Sequence, residues 1–221
     1  MQKQKACCNF YMSVFTKIFS KKIKSKFKKF RKFNAINNLD KKMLNWINYE
    51  NGYYLECGAN DGVDQSNTWY FEKQLNWNGI LIEPLPKLFN QLKKNRNKNN
   101  IFVNKCLVSQ TYKDKYIKII DKDLMSKIDL KNGISVEVST LDKILSFNQV
   151  PKIIDFFSLD VEGEEFNVLE GIDFLKYNFK YLLIESNDFN KLKKFLITKN
   201  YSFVKKLSDI ADPDWLFKFN S

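Results

Sequence analysis

From Tyr53 onward the chain alternates short apolar runs with stretches in which apolar residues recur every three or four positions. Apolar runs of four to eight residues predict buried strands, and the three-to-four spacing predicts helices packed against them. Strands are predicted at Tyr53–Cys57, Gly79–Pro84 and Ile101–Ser109, with helices over Ser66–Asn76 and Pro86–Asn97 between them. A buried strand over Lys152–Asp160, a helix over Glu164–Lys176, a strand at "YLLIES" and a helix over Phe189–Lys199 continue the rhythm. Tyr201–Lys205 and Trp215–Phe219 close the sheet. "TLDKILSF" predicts a short helix capped by Ser139 or Thr140, and Ser66 or Asn67 is placed to cap the first helix. Alternating strands and helices predict an α/β domain with a mostly parallel sheet. Residues 110–139 interrupt it, where "YIKII" and "ISVEVS" predict an inserted β-ribbon.

Before the domain, "FTKIFSKKIKSKFKKFRKF" puts Phe15, Phe19, Ile23, Phe27, Phe30 and Phe33 on one helical face, with lysines around the rest. The chain thus divides into a basic amphipathic arm, residues 1–40, and a domain, residues 41–221. Charge sharpens the division. Residues 1–34 hold eleven Lys or Arg and no acid, leaving 26 basic and 25 acidic groups in the remainder. The net charge of +12 therefore belongs to the arm. An apolar stripe in a basic helix predicts peripheral contact with an anionic membrane through residues 10–34. Nucleic acid needs the charge but not the stripe, and is an unlikely partner. A third reading packs the phenylalanines on the domain.

Ala6–Phe19 is broken by Asn9 and Lys17 and does not make a signal peptide. No run of eighteen apolar residues is long enough to span a bilayer. Cys7, Cys8, Cys57 and Cys106 lack metal-ligand spacing, and a reduced, cytoplasmic setting is expected. The chain has no histidine, which removes Ser-His-Asp and Cys-His nucleophiles and the commonest general base.

Candidate chemistry starts at "YYLECGANDG", a strand running into two glycines, Gly58 and Gly62, behind the carboxylate of Glu56. A glycine-bearing turn after a parallel strand lets backbone approach a ligand, although a tight turn needing positive φ explains it equally well. The Gly-x-x-x-Gly spacing is neither a dinucleotide fingerprint nor a phosphate loop. Glu83 ends the second strand 21 residues after Gly62, where a nucleoside-binding fold places the acid that holds ribose hydroxyls. Together these predict a nucleoside pocket, and Glu56 suits a cationic ligand better than a pyrophosphate.

"LECGANDGVDQSNTWYFEKQLNWNGILIEPLPKLFNQLKKNR", "STLDKIL" and "IDFFSLDVEGEEFNVLEGI" resemble, in that order, the FkbM-type S-adenosylmethionine-dependent methyltransferases. The resemblance implies a class I methyltransferase (Rossmann-like) fold, a seven-stranded mostly parallel sheet with flanking helices. It also implies methyl transfer to a hydroxyl oxygen of a glycan or similar small molecule. By position, Glu56, Gly58, Asn60 and Gly62 are expected to hold the methionine part of the cofactor, Glu83 the ribose, and Pro84 and Leu85 the adenine.

"LDVEGEE" places Asp160, Glu162, Glu164 and Glu165 at the tip of a buried strand, which faces the ligand crevice in a parallel sheet. Helix-start chemistry explains Glu164 and competes for Glu162. Without histidine, Asp160 is the first choice of base, Glu162 the second, and Glu185, tipping the next strand, the third. The same acids are also read as a weaker Mg²⁺ site. Two rivals remain: a methyltransferase of nucleic acid, and a methyltransferase-like domain that only binds or scaffolds.

Overall fold

In the computed structural model, residues 31–120, 127–128, 133–209 and 212–220 are described. Most of the basic arm, residues 1–30, lies outside them. After a 3₁₀ turn, α1 (Leu39–Met43) leads to β1 (Tyr53–Cys57), α2 (Trp69–Leu75), β2 (Asn78–Ile82) and α3 (Pro86–Asn95). β3 (Ile101–Val103), β4 (Cys106–Leu107), β5 (Tyr116–Ile120), β6 (Lys127–Ile128) and β7 (Ile134–Ser139) follow. The chain ends with α4 (Leu141–Phe147), β8 (Ile153–Leu159), α5 (Glu165–Leu169), β9 (Asn178–Glu185), α6 (Phe189–Ile197), β10 (Tyr201–Lys206) and β11 (Asp214–Phe219).

Among the described residues the main sheet has seven strands in the order β10-β11-β9-β8-β1-β2-β3. β3, β2, β1, β8 and β9 run parallel, and β11 is antiparallel to both β9 and β10. This is the mostly parallel α/β sheet the residue pattern predicts, with the seven strands the family resemblance implies. The order reverses between β1 and β8, so a crevice opens beyond their carboxyl ends.

Strand alternation divides the core. Leu55, Cys57, Ile80, Ile82, Phe157 and Leu159 face one layer with Leu145, Leu169 and Leu192. Tyr54, Leu81 and Phe156 face the other, against Met43, Phe71, Trp77 and Leu92. Phe33 and Ala35 pack on this second cluster, with the Phe33 ring stacked 4.6 Å from that of Tyr70.

Three boundaries differ from expectation. The strand predicted over 101–109 splits into β3, in the main sheet, and β4, which pairs with β7 in a smaller sheet of order β4-β7-β5-β6. Between them, Asn104 Nδ2 donates to the carbonyls of Glu83 (2.8 Å) and Pro84 (2.9 Å), bending the chain across the end of β2. The helix predicted over 164–176 stops at Leu169. At Gly171 a Cβ would meet the Val108 carbonyl at 2.5 Å, and the Gly171 carbonyl accepts from Asp142 N, so the backbone docks there instead of coiling. The helix predicted from Ser66 starts at Trp69, because Ser66, Asn67 and Thr68 are bound to Glu56. Thr140 caps α4 as expected, its Oγ1 accepting from Lys143 N.

Candidate active site

The turn after β1 is fastened to β2 by backbone. Gly58 N and Ala59 N both donate to the Ile82 carbonyl, at 3.1 and 3.0 Å. Gly58 has φ +82°, and a Cβ there would lie 1.7 Å from the carbonyl oxygen of Asp160. Glycine is therefore dictated twice, by conformation and by the approach of the loop after β8. Asn60 follows at φ 50°, and its N–H donates to Glu83 Oε2 at 2.9 Å. Leu85 N donates to Glu83 Oε1, also at 2.9 Å. The acid at the end of β2 is thus oriented by the glycine turn on one side and its own chain on the other.

These elements enclose a cavity of about 270 Å³ whose lining includes Gly58, Ala59, Asn60, Glu83, Pro84, Leu85, Asp160 and Glu162. Three segments far apart in sequence meet because parallel strands deliver their exits to one rim. Leu88 and Ile119 add an apolar wall, Ile119 coming from β5 of the insertion. The bare backbone at Gly58, the aliphatic wall and the buried Glu83 carboxylate fit a nucleoside with a zwitterionic tail. Carboxylate oxygens can each accept more than one hydrogen bond, so Glu83 can take ribose hydroxyls beside its backbone donors.

Glu56 and Gly62 do not line this cavity. Glu56 shares a face with Tyr54, which alternation turns toward α2 and α3. There it accepts from Ser66 Oγ at 3.0 Å, Asn67 N at 2.9 Å and Thr68 Oγ1 at 2.7 Å. Its other partner is Arg96, whose Nη1 lies 3.4 Å from Oε2. The Arg96 side chain is fully buried, with Nε on Glu72 (2.7 Å), Nη1 on the Gly62 carbonyl (3.2 Å) and Nη2 on Tyr54 Oη (2.8 Å). Burial alone would raise the Glu72 carboxyl, but Arg96 and Lys73 outweigh it and hold it down at about 2. A Cβ on Gly62 would meet Leu92 Cδ1 at 2.6 Å and Arg96 Cγ at 2.8 Å. The geometry makes Glu56 and Gly62 supports of the turn rather than ligand contacts. Arg96 closes the "NR" of the matching block, and only its partners in space reveal its task.

At the other rim, Asp160 follows the last residue of β8 and Glu185 ends β9. Register pairs Leu159 with Ile184, so the two carboxyls leave the sheet side by side. Burial pushes Asp160 well above the ordinary carboxylate range, and the charges of Glu162 and Asp214 add to it. Burial also raises Glu185, reinforced by Asp160 and Asp214. Such a pair retains one proton between two oxygens near neutrality. Glu162 stands beside it at φ 57°, and Gly163 follows at φ 100°. Glu165 Oε1 accepts from Gly163 N at 3.0 Å and Val161 N at 3.3 Å, bracing this turn. Glu164 lines the cavity from the first position before α5.

A second cavity, about 360 Å³, opens beside the first, its lining including Glu162, Phe166, Glu185, Ser186 and Asn187. Glu162 belongs to both walls, while Asp160 faces the first cavity and Glu185 the second. The Mg²⁺ expectation is not supported: among the described residues no three His, Cys, Asp or Glu side chains are arranged to hold a metal ion. The acids here are instead taken up by each other and by backbone N–H groups. Sequence reasoning missed Gln65, Lys105, Val161 and Ile119 on the cavity wall. None carries a motif, and only the crossing of separate loops brings them there.

A seven-stranded sheet in this order, with its cavity at the β1–β8 crevice, defines a class I methyltransferase. The family model described as "Methyltransferase FkbM domain" matches residues 56–210. The chain belongs to this family, whose methyl donor is S-adenosylmethionine. The solved METTL16 methyltransferase domain superposes with a TM-score of 0.51 at 14% identity, over 83% of this chain and 65% of that one. A second crystal form gives 0.50 at 11% identity, over 81% and 64%. A putative methyltransferase, yhhF, from Escherichia coli gives 0.47 at 14% identity, over 85% and 89%. This chain thus spans just under two thirds of the METTL16 domain, and at such identities the likeness is one of fold. No curated protein sequence matches the chain. Among the described residues no helix is long and apolar enough to cross a membrane.

Proposed function

We propose that the protein is an S-adenosylmethionine-dependent O-methyltransferase acting on a hydroxyl of a glycan or a similar hydroxylated small molecule. The observation that carries this reading is the Asp160–Glu185 pair, placed between the cofactor cavity and a second one. Asn60, Glu83, Pro84 and Leu85 would hold the nucleoside, and the Gly58 backbone would line the space for its tail. S-adenosylmethionine supplies a methyl group on a sulfonium, open to in-line displacement by an oxygen. A hydroxyl attacking that carbon has to give up its proton, and a carboxylate is the base this site offers in the absence of histidine. Asp160 accepts the proton at its oxygen facing the cofactor cavity. Glu185 holds the Asp160 carboxyl in place and shares the charge, and Glu162 orients the acceptor from the common wall. Positioning of the two reactants supplies much of the remaining rate.

Two features weigh against the rivals. Adjacent acids raised by burial at a cavity rim favour a functional site over a mere scaffold. Carboxylates at the rim repel a phosphate backbone, which disfavours a nucleic-acid substrate. The basic stripe of residues 10–34 supports peripheral binding to anionic lipid at the cytoplasmic side. The experiment is equilibrium binding of S-adenosylmethionine, followed by methyl transfer to hydroxylated acceptors by wild type and Asp160→Asn. A protein that binds no S-adenosylmethionine, or an Asp160→Asn variant with unchanged turnover, removes the proposal.

A further inference from the structure

We infer that the second cavity is the acceptor site and that it takes an uncharged, polyhydroxylated ring, excluding acceptors that carry phosphate or carboxylate. This rests on the methyltransferase reading and adds the acceptor's place and charge class.

Position comes first. The cavity opens at the carboxyl ends of β8 and β9, and Glu162 stands in the wall it shares with the cofactor cavity. Register pairs Leu159 with Ile184, so Asp160 and Glu185 leave the sheet side by side. Asp160 lines the first cavity and Glu185 the second. A hydroxyl entering from the second cavity therefore meets the pair on its way to the methyl donor. At about 360 Å³ the space lies in the lower part of the range for small-molecule sites, roughly 300–1,000 Å³.

Lining chemistry sets the class. Glu162, Glu185, Ser186, Asn187, Asp188 and Asp212 contribute hydroxyl, amide and carboxyl groups, and the Phe166 ring gives one apolar surface. Hydrogen-bond acceptors in that density suit a molecule that offers several O–H donors and little apolar bulk. The single lysine in the lining, Lys191, is held over the Phe166 ring 4.0 Å from its centroid. Asp188 is occupied as the cap of α6, accepting from Lys191 N, and Asp212 is hydrogen-bonded to Asn187. One lysine against Glu162, Glu165, Glu185, Asp188 and Asp212 leaves acids in excess in this lining. An anionic group entering the cavity would sit beside like charges, which disfavours its binding.

The test uses the full chain, methyl-labelled S-adenosylmethionine and matched probes: methyl glucoside, methyl mannoside and methyl rhamnoside against glucuronate, glucose 6-phosphate and transfer RNA. Label is expected in at least one neutral sugar, and at under a tenth of that rate in every anionic probe. Asn187→Trp places an indole in the second cavity from an exposed position, and Asp212→Lys reverses one of its charges. Asn187→Trp should raise the KM for the labelled sugar at least ten-fold and leave the Kd for S-adenosylmethionine within two-fold. Asp212→Lys should narrow the preference for neutral over anionic sugar at least five-fold, with melting temperatures showing that both variants fold. Label in an anionic probe at the neutral rate, label in no sugar by a protein that binds S-adenosylmethionine, or an unchanged KM in Asn187→Trp overturns the inference. Failure to bind S-adenosylmethionine at all instead overturns the methyltransferase reading beneath it.

Discussion

The backbone of Gly58 lies against the carbonyl of Asp160 so closely that a Cβ would stand 1.7 Å from that oxygen. Asp160 N in turn donates to the Cys57 carbonyl at 3.2 Å. The cofactor turn and the strand end that carries the proposed base are therefore one packed unit, and neither moves alone.

Gly58→Ala consequently tests more than space in the cavity. It combines strain at φ +82° with a clash against backbone, and should destabilise the domain by roughly 3 kcal/mol or more. Urea unfolding measures this. Unchanged stability would show that the loop after β8 yields freely, against the close packing described.

Glu83→Ala removes the acceptor for Asn60 N and Leu85 N as well as the proposed ribose contact. Affinity for S-adenosylmethionine should fall about ten-fold or more, the equivalent of about 1.4 kcal/mol per decade. Calorimetry with S-adenosylmethionine and with adenosine reads it. A normal Kd for both would displace Glu83 from the site.

Asp160→Asn should retain S-adenosylmethionine binding while turnover drops about a hundred-fold, the ordinary cost of a lost acid–base group. Glu185→Gln carries a stability signature as well. Because both carboxyls are raised in the folded state, the native protein holds a proton that the unfolded chain releases near pH 4. That contribution is whole below about pH 4 and is lost as pH rises through the raised values. Wild type should therefore lose melting temperature from mildly acid to alkaline pH, and Glu185→Gln should show a flatter profile. Parallel profiles would deny the shared proton.

Arg96→Met leaves Glu56 buried without its cation and Glu72 with Lys73 alone, and should cost about 3–5 kcal/mol. In wild type, Glu72 adds the opposite pH dependence. Its lowered carboxyl gives stability that is present above the ordinary glutamate range and lost as pH falls toward about 2. Acid unfolding of Glu72→Gln against wild type isolates it.

The arm yields a prediction independent of the pocket. Changing Phe19, Phe27 and Phe30 together to Ser keeps all eleven basic residues of positions 1–34. Binding to phosphatidylserine vesicles should fall at least ten-fold, with S-adenosylmethionine affinity unchanged. Vesicle binding that survives in a stably folded variant would leave charge alone as its cause.

The sequence by itself determined the layer order, because apolar runs and three-to-four spacings report which faces are buried. It also determined the chemistry at strand ends, since Gly58, Glu83, Asp160 and Glu185 each close an apolar run where the chain leaves the sheet. Glu56 shows where that logic stops. Beside the glycine turn in sequence, it is carried by strand alternation to the opposite face, and its role was fixed only by Arg96, forty residues later. Likewise no local pattern ended α5 at Leu169 or bent the chain at Asn104; carbonyls from distant strands did. The second cavity is a product of tertiary structure alone. Its walls come from three separate segments of the chain, and periodicity along one chain cannot register the distance between them.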